Sequence, residues 1–231
     1  LLESHLKKFK PDFVVYLIGI NDMGRDDLNE YDTSMIKAGL SLRNKVVAAS
    51  EVLSTGQVLL RTIRAQDRGL NHVLDHDLTT LAKVVESDAQ KNAYLAPHTE
   101  KYVAAYRTRV KLLVARTIEM GSQPVLVTQP ALMGNTVDPT TGINMGPLVF
   151  AWGGDPASAG LKWQALELYN DVVRDVAKEQ GLILIDAARE MPKDSAYYID
   201  WFHYSNAGAQ VMADLIGRGL QPHVTKLASN R

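Results

Sequence analysis

The chain contains no cysteine, which excludes a disulfide framework, a thiolate-held zinc site and a thiol nucleophile, while leaving the redox compartment open. It has no excess of one charge either. The 25 Lys and Arg residues stand against 26 Asp and Glu, for a formal net charge of -1, so no broad field draws it to nucleic acid or to an anionic membrane. Long apolar runs are also missing: the longest, Phe13 to Ile20 with Gly19 inside it, falls far short of the roughly 20 residues that a membrane-spanning helix requires. There is no internal repeat, no low-complexity tract and no Pro/Ser-rich linker, so nothing marks a boundary within the chain. What is present is 46% apolar and 22% charged over 231 residues, a composition that builds one sizeable core and keeps it soluble.

The local patterns read as α/β. Leu2, Leu6 and Phe9 follow helical spacing, lysines crowd behind them and Pro11 stops the run, which describes the end of a helix. Phe13-Val14-Val15-Tyr16-Leu17-Ile18 is continuously apolar, as in a parallel strand buried on both faces. Pro124 to Thr128 and Leu182 to Asp186 are two further strand-like runs, each behind a helix-ending glycine, Gly121 or Gly181. The helix before the first, Tyr102 to Met120, puts Val103, Tyr106, Val110, Leu113, Val114 and Ile118 on one side. The helix before the second runs from about Leu161 to Gln180, and a last helix covers Ala207 to Arg218 behind an N-cap at Ser205 or Asn206. Alternation of this kind predicts an α/β fold with right-handed crossovers between parallel strands. Residues 31–97 show helical patterns at Met35 to Leu53, Gln57 to Ala65 and Leu78 to Val85 but no strand, and read as a helical insertion or cap within a single domain spanning residues 1–231. Three strands are few against the usual four to six or so, and the expectation is that strands are missing upstream.

Ligands of an open α/β sheet bind outside the carboxyl ends of its strands, and polar groups gather at each of those exits. The first strand runs into Gly19-Ile20-Asn21-Asp22. The third leads to Asp200-Trp201-Phe202-His203 just ahead of a helix, where a carboxylate three residues from an imidazole can fix its tautomer and stabilise its charged form. A bland alternative attends each: a helix-start histidine beside a surface aspartate, and ordinary Asn-Asp turn chemistry. The second exit opens a loop from Ala131 to Gly160 whose Met133, Met145, Leu148, Phe150 and Trp152 either line an acyl pocket or anchor the loop, and anchoring is the simpler reading.

Lys10-Pro11-Asp12-Phe13-Val14-Val15-Tyr16-Leu17-Ile18-Gly19-Ile20-Asn21-Asp22 resembles the G-x-N-D block of the SGNH or GDSL hydrolases, and Asp200-Trp201-Phe202-His203 resembles their closing D-x-x-H block, in the same order. Weaker similarity lies in Val125 to Pro130 and in Tyr169-Asn170 leading to Ile185-Asp186. The resemblance implies a three-layer α/β/α fold with a parallel sheet, SGNH-hydrolase or flavodoxin-like, and a serine-dependent hydrolase of ester or acyl bonds, with no metal or organic cofactor. Its substrate would be a small-molecule, carbohydrate or lipid ester, and a secreted or extracytoplasmic location is compatible with it. By position it makes His203 the general base, Asp200 its orienting carboxylate and Asn21 an oxyanion-hole donor. Gly19 then serves backbone geometry beside the substrate, and Asp22 braces the turn.

The pattern lacks its nucleophile. The family's G-D-S block, and the block that supplies a glycine donor, precede G-x-N-D, and neither occurs in this chain; no Gly-x-Ser-x-Gly elbow replaces them. Gly154-Asp155 is followed by Pro156 and reads as loop, while Ser195 and Ser205 read as a loop polar residue and a helix cap. The expectation is an N-terminally truncated hydrolase that does not complete a serine triad by itself. Three rivals stand beside it. One is a metal hydrolase built on His72 and His76, four apart and close to Asp77, although Asp77 also suits an N-cap. The others are a non-catalytic binding module of the same fold and an acyltransferase to a sugar hydroxyl.

Overall fold

The computed structural model describes residues 6, 9–26, 77–149 and 156–229, all of which fall in one compact unit made from Leu1–Leu28 and His76–Arg231. Three strands, β1 (Phe13–Leu17), β2 (Gln123–Val127) and β3 (Ile183–Ile185), form a parallel sheet in the order β1-β2-β3. Leu17 lies opposite Val127, and Val127 opposite Ile185, so all three strands leave the sheet at one end, their common carboxyl end.

Side-chain alternation along β2 divides the core in two. Val125 and Val127 join Ile183, Ile185, Met212 and Leu215 on one face, whereas Leu126 joins Val110, Val114, Val173 and Val176 on the other. Helices α2 (Val103–Glu119) and α3 (Ala159–Gln180) supply the second set and α5 (Asn206–Ser229) covers the first, a three-layer α/β/α arrangement. A short helix, α4 (Ala187–Glu190), follows β3 directly. Helix α1 (Asp88–Pro97) opens on a reciprocal capping box between Ser87 and Gln90. It passes through a wide π turn, His98–Tyr102, into α2. Pro97 has no N–H to offer the Ala93 carbonyl, so the helical ladder is interrupted immediately ahead of that turn.

Several expectations need correction. β1 is not buried on both faces: Val15 and Leu17 are 38% and 37% exposed, because β1 is an edge strand among the described residues and its Phe13, Val15 and Leu17 face is only partly covered. The segment Leu78–Val85 is not helical. Asp77 Oδ1 accepts from both the Thr79 N–H and its hydroxyl, a local turn, and the chain then pairs at long range, with Val84 N–H donating to the Pro147 carbonyl and Val149 N–H to that of Ala82. On α2, Ile118 is exposed and Arg109 takes a buried place. Helix α5 runs on through Pro222 to Ser229, well past Arg218. The helical patterns at Met35 to Leu53 and Gln57 to Ala65 lie outside the described residues.

Candidate active site

The first exit is shaped by a glycine. Ile20–Asp22 form a single 3-10 turn after Gly19, whose φ of 150° and ψ of -62° suit a residue without a side chain. A Cβ at Gly19 would stand 3.2 Å from the Cβ of Gln129, so the glycine also lets the exits of β1 and β2 close on each other. The turn exposes Asn21 and buries Asp22.

Behind the turn, α2 and α3 grip the backbone on both sides of Asn21. The Tyr106 hydroxyl donates to the Ile18 carbonyl at 3.3 Å, and Gly24 N–H donates to the Tyr169 hydroxyl at 3.1 Å. Tyr169 also shares a 2.9 Å hydrogen bond with Nδ1 of the buried His98, and burial pushes its phenol up to about 12, so it stays protonated. Arg109 reaches Asp22 Oδ1 at 3.1 Å, with both side chains 8% exposed. None of Tyr106, Arg109 and Tyr169 was singled out for the site from sequence. The signals the sequence carries are Arg109, a charged residue on the apolar helix face between Tyr106 and Val110, and Tyr169-Asn170, part of the weaker family similarity.

The second and third exits are tied together. Asn170 on α3 clamps Gln129, its Oδ1 accepting from the Gln129 N–H at 2.7 Å and its Nδ2 donating to the Gln129 carbonyl at 3.1 Å. Thr128 donates its hydroxyl to Asp186 Oδ1 and accepts from the Ala188 N–H. Two residues beyond Pro130, Leu132 N–H donates to the Trp201 carbonyl at 2.9 Å. That bond fastens the Asp200-Trp201-Phe202-His203 turn to the loop leaving β2.

Within the turn Asp200 organises everything locally. Its Oδ1 accepts from the Phe202 and His203 N–H groups at 2.7 and 2.8 Å, and its Oδ2 lies 2.6 Å from His203 Nδ1. Burial alone would raise the Asp200 carboxyl, but those N–H groups and the imidazole hold it below the usual carboxylate range. The imidazole is presented outward: the His203 side chain is 64% exposed while that of Asp200 is 7% exposed. A histidine engaged at Nδ1 by a carboxylate has its tautomer fixed and is able to exchange protons at Nε2.

Asn21 and Gly19 thus lie at the carboxyl end of the sheet, and the Asp200–His203 turn is tied to the loop leaving β2 at that same end through Leu132. Each serine among the described residues is committed elsewhere. Ser195 donates to Asp138 Oδ2, Ser205 donates to the Ala196 carbonyl and accepts from the Gly208 N–H as a helix cap, and Ser87, Ser122, Ser158 and Ser229 bond to neighbouring groups. Met133, Met145 and Leu148 are fully packed into the core and anchor the loop, while Phe150, Trp152, Gly154 and Asp155 lie outside the described residues. So do His72 and His76; among the described residues no cluster of metal-ligating side chains forms.

No family model matches the chain, and neither does any curated protein. Solved structures of an acetylxylan esterase, Axe2 from Geobacillus stearothermophilus, and of a variant of it described as an acetyl-xylooligosaccharide esterase, do match. They are 19% and 20% identical to this chain, cover 94% of it, and superpose with a TM-score of 0.41. The chain spans 63% of their length.

Proposed function

We propose that this chain carries the acid–base half of a serine-dependent hydrolase of ester or acyl bonds, with His203 as general base, Asp200 as its orienting carboxylate and Asn21 as a donor to the oxyanion. The observation that carries this reading is the 2.6 Å contact between Asp200 and an outward-facing His203, in a turn tied to the carboxyl end of the sheet from which Asn21 also emerges. The G-x-N-D and D-x-x-H blocks add the order in which such residues occur.

In the mechanism this implies, His203 Nε2 removes the proton from a serine hydroxyl as its oxygen attacks the ester carbonyl. The C=O π pair moves onto oxygen, and the Asn21 amide donates to the developing charge. Asp200, already ionised, stabilises the imidazolium, which next protonates the departing alcohol as the ester C–O bond breaks. Water activated by the same imidazole then releases the acid from the acyl-serine.

The reading calls for a serine upstream of Leu1 in a Gly-Asp-Ser setting, and the experiment begins by restoring that segment. With it, hydrolysis of a short-chain p-nitrophenyl ester should fall by about 10⁴-fold or more in His203→Ala. Hydrolysis that survives the substitution unchanged, or a full-length protein without such a serine, removes the assignment.

A further inference from the structure

The loop leaving β2 is held from two sides. On one side Leu132 N–H reaches the Trp201 carbonyl in the middle of the acid–base turn. On the other, Lys193 Nζ donates to the carbonyls of Ala131 and Met133, at 2.8 and 2.5 Å, and lies 3.1 Å from the centroid of the Trp163 ring. The lysine therefore grips the two carbonyls that flank Leu132. Its stem is enclosed as well, since a Cβ at Gly134 would stand 3.3 Å from its Cδ and Cε. Ala131, Leu132, Met133, Met191 and Trp201 are all buried, and a close-packed set of this kind passes on a displacement instead of absorbing it.

We propose that Lys193 is a positioning residue for the acid–base turn, fastening the β2 exit loop to Asp200–His203 for as long as its amine is charged. This deepens the hydrolase reading and rests on it for the identity of the reaction. The ammonium supplies three strong donors and a cation for the indole face; the neutral amine has one donor fewer, weaker bonds and no cation–π attraction.

The surroundings favour a change of charge within reach of ordinary conditions. Burial pushes the Lys193 ammonium down to about 7, opposed by the Glu167 carboxylate on α3. Residues 131–134 of the loop contain no titratable side chain. The neighbouring Asp194 is occupied by the Thr140 hydroxyl and the Ala196 N–H, and Glu167 is itself shared with Asn170 and Arg174.

The test is residue-resolved hydrogen exchange of the Leu132 amide in the full protein, corrected for the intrinsic pH dependence of exchange. Protection should fall about tenfold or more between about pH 6 and about pH 9 in the native protein, and be low throughout in Lys193→Met. In the ester assay the native enzyme should lose kcat on the alkaline side at constant KM. Lys193→Met should show kcat lowered about tenfold at about pH 6.5 and no alkaline limb. Leu132 protection that is independent of pH in the native protein overturns the proposal, and so does Lys193→Met with native kcat and pH profile. If the protein hydrolyses no ester while Leu132 protection still follows pH, the fastening role of Lys193 stands and the hydrolase reading is what fails.

Discussion

Two arginines on α2, two residues apart, provide an internal control for the strength of the support behind Asn21. Arg109 pairs with Asp22 at 3.1 Å with both side chains 8% exposed, whereas Arg107 meets Asp175 and Glu179 at 2.5 and 2.8 Å with 31% to 55% exposure across the three side chains. At an effective dielectric of about 20, unit charges 3.1 Å apart attract by about 5 kcal/mol. The desolvation of two buried ions offsets much of that, so the pair as a whole stabilises the fold only modestly. Removing one member is different, because the surviving charge stays buried without its partner. Arg109→Met, which keeps an unbranched apolar stem but gives up the guanidinium that lies 5.8 Å from the Tyr106 ring centroid, should destabilise the full protein by about 3 kcal/mol or more. Arg107→Met should lose less than about 1 kcal/mol. In a double-mutant cycle, Asp22→Leu combined with Arg109→Met should lose less than the sum of the single losses, by about 2 kcal/mol. Urea unfolding followed by circular dichroism measures all of these. An Arg109→Met loss as small as that of Arg107→Met refutes the reasoning, since a charge tolerated without its partner is a charge in contact with water.

The parts of the fold that could be read from sequence are those whose cause is local. β2, β3 and α3 are flanked by their own punctuation, a capping Ser158 and a terminating Gly181 among it. The Asp200–His203 contact is legible for the same reason: all three Asp200 contacts fall within its own turn. Elsewhere a distant partner decides the local structure. Leu78, Leu81, Val84 and Val85 keep helical spacing, yet backbone pairing with residues 147–149 draws that segment into an extended path. A continuous apolar run describes a strand with neighbours, but the exposure of Val15 and Leu17 depends on what covers that face, and spacing along the strand carries no information on it.

The support around the site was illegible for a related reason. Tyr169 reaches Gly24 across 145 residues, Arg109 reaches Asp22 across 87, and Lys193 reaches Ala131 across 62. In sequence a tyrosine on a helix reads as core and a lysine reads as surface. Only the juxtaposition of the sheet exits brings them against the Asn21 turn and the loop tied to Asp200–His203.

Two further outcomes follow from the exits themselves. Gly19→Ala forces a side chain into a φ of 150° and against Gln129, and should destabilise the protein by about 1–3 kcal/mol; an unchanged thermal midpoint contradicts the strain assigned there. The last concerns Asp186, which follows β3 and receives Nε and one terminal nitrogen of Arg174, each at 2.9 Å, together with the Thr128 hydroxyl at 2.8 Å. Burial alone would raise its carboxyl, but Arg174 and Thr128 hold it below the ordinary value of 3.8. The unfolded chain therefore binds the proton more readily than the folded one. The contribution of Asp186 to stability is complete above the unfolded pKa and disappears as the pH falls through the folded one. Asp186→Asn should lose about 1.5–3 kcal/mol near neutral pH, the range for hydrogen bonds to a charged group. It should also lose less than the native protein on further acidification, so that the two unfolding free energies converge once the pH falls below the folded-state pKa of Asp186. Parallel curves over the whole range, measured by urea unfolding at each pH, show instead that the Arg174 bonds do not depend on the Asp186 charge.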